Sequence, residues 1–166
     1  MAEKLLDAYL NDHLGGATGG VDLAEQLRDQ TKGTPFGETM QTLAAEIKAD
    51  RETLADIMSR MGTAESPVKQ AGAWVMGKLG EAKFSGFTTG SGEFGTFLAI
   101  ETLEMGVGGK ECLWRSLREV KDSNSVLAGV DYDDLIQRAE SQQSTLETAR
   151  LEYARSALSE SSPASA

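Results

Sequence analysis

Apolar residues recur at alternating steps of three and four along most of this chain, the spacing that turns one face of a helix toward a core. Leu6, Leu10, His13, Ala17, Gly20, Ala24 and Leu27 mark such a face over residues 3–31. It closes at Lys32 and Gly33, a basic residue followed by glycine, as helix ends prefer. Thr34 and Pro35 then read as an N-cap and a first-turn proline. Phe36, Met40, Leu43, Ile47, Asp50, Leu54, Ile57 and Met61 carry the same pattern to Gly62. A link this short forces the two helices into an antiparallel hairpin.

Residues 63–92 have a different texture. Ser66 and Pro67 predict the start of a shorter helix bearing Val68, Ala71, Val75 and Leu79, and residues 83–95, KFSGFTTGSGEFG, read as a loop. A third long helix is predicted over 93–120, with Ile100, Leu103, Val107, Trp114 and Leu117 in register, and the polar stretch KDSNSVLAG ends it. Asp131, with Asp134 three residues on, predicts the N-cap of a fourth helix whose face carries Tyr132, Leu135, Ala139, Gln142, Leu146, Ala149 and Tyr153 towards Leu158. Residues 159–166, SESSPASA, read as a flexible tail. Four helices of roughly equal length, each about 40 Å long, should pack side by side. The expected fold is therefore all-α, an antiparallel four-helix bundle over residues 1–158, with two hairpins joined by a long crossover that contains a short helix.

A weak internal repeat fits two related hairpins. An offset of 89 lays Asp12 and Leu14 on Glu101 and Leu103, and Gly19-Gly20 on Gly108-Gly109. An offset of 92 lays Leu43 on Leu135, Asp50 on Gln142 and Thr53-Leu54 on Thr145-Leu146.

Composition narrows the partners. Sixteen basic against 26 acidic residues leave a net charge of -10, which repels phosphate backbones, so no nucleic acid is expected. The one cysteine, Cys112, has no partner for an internal disulfide. The opening MAEKLLDAYLND is too charged for a secretory leader, and no uncharged run approaches a membrane span. These features predict a cytoplasmic protein without a membrane partner.

The glycines are the costliest feature of the pattern. HLGGATGG and EMGVGG set glycines inside two predicted helices, each costing about 1 kcal/mol relative to alanine. Gly16, Gly20 and Ala24 form one stripe of small residues, and Ala99, Thr102, Gly106 and Gly109 form another. Close approach of two helix backbones is the expected compensation. The other reading is room for a ligand, near Trp74 or Trp114.

Polar residues on apolar faces are the candidates for chemistry. Asp50 and Gln142 occupy core-type positions at equivalent points of the repeat, and His13, the sole histidine, lies on the first apolar face. Glu101 and Glu104 are the only charged side chains between Phe94 and Gly109, so that helix should bury at least one of them. A buried carboxylate needs a cation, a proton or a metal. Arg51 and Lys110 are the cations on offer. Glu46, one turn before Asp50, could join it. No phosphate loop, nucleophile elbow, Rossmann fingerprint or zinc-helix spacing is present, and Cys112 has no histidine beside it in sequence.

Two long hairpins, a crossover and carboxylates within the helices make the chain resemble the ferritin-like superfamily. The segments GVGGKECLW and RAESQQSTLETAR are similar to a narrower group of uncharacterised bacterial ferritin-like proteins. In di-iron members the resemblance implies a Glu from each of two helices and a Glu-x-x-His from each of the others. This sequence has no Glu-x-x-His. What it offers a divalent metal is His13, Asp50, Glu101 and Glu104, with Glu46 as a fifth donor. Two functions follow as expectations. The first is a non-catalytic ferritin-like bundle without a cofactor, acting as a homodimer or through a protein or small-molecule partner. The second is a metal-binding or oxidoreductase bundle with an atypical carboxylate and histidine site.

Overall fold

A computed structural model describes residues 2–63 and 92–159. The predicted crossover helix from Ser66, the loop that follows it, Trp74 and nearly all of the tail lie outside the described residues. Every regular element among the described residues is helical: α1 (Ala2–Gln30), α2 (Pro35–Met61), α3 (Glu93–Val120), α4 (Ser125–Ala128) and α5 (Tyr132–Leu158), with a 3-10 turn at Lys121–Ser123. No described helix is long and apolar enough to cross a membrane.

The helix ends follow from local chemistry. Thr34 accepts the Gly37 N–H at 3.0 Å and donates to the Thr31 carbonyl at 2.7 Å, so one threonine caps α2 and ties it to the end of α1. Gly37 is indispensable here, because a Cβ at this position would lie 2.1 Å from the Thr31 carbonyl oxygen. The backbones meet where only glycine fits. At the other end of α2, Gly62 takes a left-handed φ of 73°, and the Gly62 and Thr63 N–H groups close on Ser59 and Met58. Thr63 also donates to Asp7 at 2.7 Å, joining the end of α2 to the start of α1. Asp131 caps α5 by accepting the Asp134 N–H at 3.1 Å, as its spacing predicts.

Paired residues give the helix directions. Thr18 meets Arg51 and Asp7 meets Thr63, so α1 and α2 run oppositely. Glu104 meets Arg150, Lys110 meets Gln142 and Arg118 meets Asp133, so α3 and α5 do the same. α1 also packs along α3.

The core divides into two apolar clusters. One joins Leu23, Leu27, Met40, Ile47, Ile100, Leu103 and Leu146. The other joins Leu10, Leu14, Leu54, Ile57, Leu113, Trp114 and Leu135, and is closed by Leu127. The stretch KDSNSVLAG is thus more than a polar break: Asn124 caps the short α4 by accepting the Val126 N–H at 2.8 Å, and α4 delivers fully buried Leu127 to this cluster. Between the clusters, α2, α3 and α5 contribute Asp50, Lys110 and Gln142 in place of apolar residues.

Gly37→Ala should destabilise the protein by about 1–3 kcal/mol, because the new methyl group must displace backbone. Chemical denaturation will measure this, and an unchanged midpoint would contradict the close approach.

Candidate functional site: a closed charge layer beside an open groove

Asp50 sits one turn beyond Ile47 and one turn before Leu54, at a position of α2 that the helical period turns inward, and its side chain is fully buried. Two cations meet it. Lys110 of α3 donates from Nζ to Asp50 Oδ2, and Arg138 of α5 lies 2.9 Å from Oδ1. Lys110 donates as well to Gln142 Oε1. The Gln142 amide nitrogen then reaches Glu46 Oε2 at 3.0 Å and Asp50 Oδ2 at 3.4 Å. Two carboxylates, two cations and one amide close on one another. Burial pushes the Lys110 ammonium below the ordinary lysine range, opposed by the field and hydrogen bond of Asp50.

The 92-residue repeat is visible in this layer. Asp50 and Gln142 are equivalent, and Glu46 and Arg138 are also 92 apart. The contact of Asp50 with Arg138 is therefore the counterpart of the contact of Gln142 with Glu46.

The other predicted donors lie elsewhere. Glu104 turns toward α5 and accepts from Arg150 Nε at 2.6 Å, with 22% of its side chain exposed. Arg150 holds its proton more tightly chiefly through that hydrogen bond, with Glu101 and Glu147 adding to the field. Glu101 and Glu104 thus share a flank of α3 and α5 while Thr102 and Leu103 are buried. His13 is half-buried with its ring edge-on to Tyr9 at 4.5 Å. Burial lowers its pKa from the ordinary 6.5, partly opposed by Asp12. The structure brings Glu46 to Asp50 through Gln142, ties Glu104 to Arg150 on another flank, and sets His13 and Asp50 on the lining of one cavity. Among the described residues, no three His, Cys, Asp or Glu side chains group as a metal site would require.

Arg138 and Arg150 escaped the sequence reading. Arg138 lies one turn before Gln142, so helical spacing alone could have linked it to the buried amide. Arg150 carries no comparable mark.

The expected tight packing of the glycine stripes is not what the structure contains. Among the described residues, a Cβ built on Gly16, Gly20, Gly106 or Gly109 meets no neighbour within 4 Å. The space belongs to a cavity of about 350 Å³ between α1 and α3, floored by buried residues of α2. These glycines leave room, and helix contact does not offset their cost. Gly108 differs, facing the Gln143 side chain at 3.5 Å.

Cys112 is exposed and free. No protein-family model matches the chain, and neither does any curated protein or solved structure.

Two outcomes follow. Gly16→Ala and Gly106→Ala should each raise stability by about 1 kcal/mol, since alanine favours the helix and its methyl group meets nothing. Urea titration of both variants checks this; a loss of stability would restore the close-packing explanation. The His13 effect has a definite sign. Its folded pKa is depressed, so between that value and 6.5 the unfolded chain binds more protons. The stabilisation is complete above 6.5 and is lost as pH falls through the folded pKa. His13→Gln should therefore flatten the decline in stability just below pH 6.5, in melts compared with the parent.

Proposed function

We propose that this chain is a non-catalytic, ferritin-like four-helix bundle whose interior charge is balanced by a lysine instead of a metal ion, and which acts by binding a partner. The opposed directions of α1 with α2 and of α3 with α5 support the two-hairpin arrangement. One observation carries the functional reading: the Lys110 ammonium lies against Asp50 Oδ2 and Gln142 Oε1, the inward oxygens that a cation would need. The Arg138 guanidinium lies 2.9 Å from the remaining Asp50 oxygen as an ion pair, without a hydrogen bond to it. Arg150 engages Glu104. Two of the donors that an oxidoreductase centre would need, Asp50 and Glu104, are thus paired with protein cations, and Glu46 accepts from the Gln142 amide.

Two measurements test this. Elemental analysis of the purified protein should find no stoichiometric transition metal, and adding manganese, iron(II) or zinc should leave the melting temperature unchanged. Lys110→Met should cost about 3 kcal/mol, because it strips the buried Asp50 of one of its two cations. One tightly held metal per chain, or a Lys110→Met variant as stable as the parent, would overturn the reading.

A further inference from the structure

The cavity between α1 and α3 has a mixed end and an apolar end. Asp12, His13, Arg51 and Lys110 share the first with Leu54, Leu113 and Trp114, while Leu23, Ile47, Leu103 and Val107 line the second, with Gly20 and Gly106 opening its walls. From Lys110 to Thr102 the apolar part extends about 12 Å along α3. The volume of about 350 Å³ lies in the range of small-molecule sites.

Among the described residues, two donors at the mixed end lack acceptors that match them. Arg51 has no carboxylate within ion-pair distance there; its guanidinium reaches the Thr18 hydroxyl, at 3.4 Å. Trp114, fully buried and lining the same cavity, has an indole N–H without a hydrogen-bond acceptor. Asp50, which also borders the cavity, is closed off by Lys110 and Arg138. A cation with no counterion among the described residues, at one end of an apolar trough about 12 Å long, is complementary to an anionic head on an extended apolar tail.

We propose that this groove binds an acyl-chain carboxylic acid, its carboxylate at Arg51 and its tail along the glycine-walled channel toward Thr102. The proposal rests on the reading of the bundle as a binding protein, and names the class of its partner.

The test is calorimetric titration of the full chain with decanoate, decan-1-ol and decylamine, each well below its micellar concentration. Decanoate should bind one per chain, more tightly than the alcohol, with the amine weakest. Arg51→Met should weaken decanoate about thirtyfold or more and leave the alcohol unchanged. Gly106→Leu, which fills the channel, should abolish binding of both while its melting temperature stays at or above that of the parent. Equal affinity for the acid and the alcohol, or indifference to Arg51→Met, would overturn the carboxylate assignment. Failure of all three probes would overturn the site, as would a concentration-dependent dimer that Gly106→Leu dissociates. Neither failure touches the metal analysis, by which the reading of the interior stands or falls separately.

Discussion

A charge removed from water must be answered by other charges, and in this protein that requirement falls on Asp50. Its carboxylate sits between two apolar clusters with no solvent to share the field. Taking an ion from water into such surroundings is expensive unless partners and hydrogen bonds replace the lost hydration. Lys110, Arg138 and Gln142 supply that replacement from two other helices, and Glu46 completes the amide of Gln142. The layer thus fixes how α2, α3 and α5 meet. A slip of one turn toward Leu54 would carry Lys110 away from both carboxylates and leave Asp50 with Arg138 alone.

Where α1 crosses this level it brings no polar partner, only its glycines and Thr18, and the space is left open instead of filled. Glycine within a helix sacrifices stability, and here backbone contact does not return the loss. Such a trade is common where a surface serves recognition. The polar layer and the groove share Lys110 and Asp50, so the element that closes the interior also forms one wall of the proposed binding channel.

The helices were legible because period and caps agreed. Pro35, Gly62 and Asp131 mark ends that the backbone hydrogen bonds confirm within a residue. Asp50 and Gln142 were legible as a pair, since both interrupt apolar faces at equivalent points of the repeat. Lys110 fills the step between Val107 and Trp114 that the apolar register of α3 passes over, so its inward position was implied. The partner of Asp50 was less accessible: sequence spacing does not say which helix lies opposite. The glycines were misread for a related reason. A stripe of small residues is the same on paper whether a neighbouring helix presses against it or stands away, and only the separation of α1 and α3 decides. Leu127 was hidden because four residues are too few to display a period.

The charge layer also sorts the two halves of the chain. Its acids, Asp50 and Glu46, come from α2, whereas its cations and its amide come from α3 and α5. A first hairpin folded against its own duplicate would set Asp50 and Glu46 against like charges, without Lys110, Arg138 or Gln142 to meet them. The two halves are therefore complementary, each supplying the charge that the other lacks.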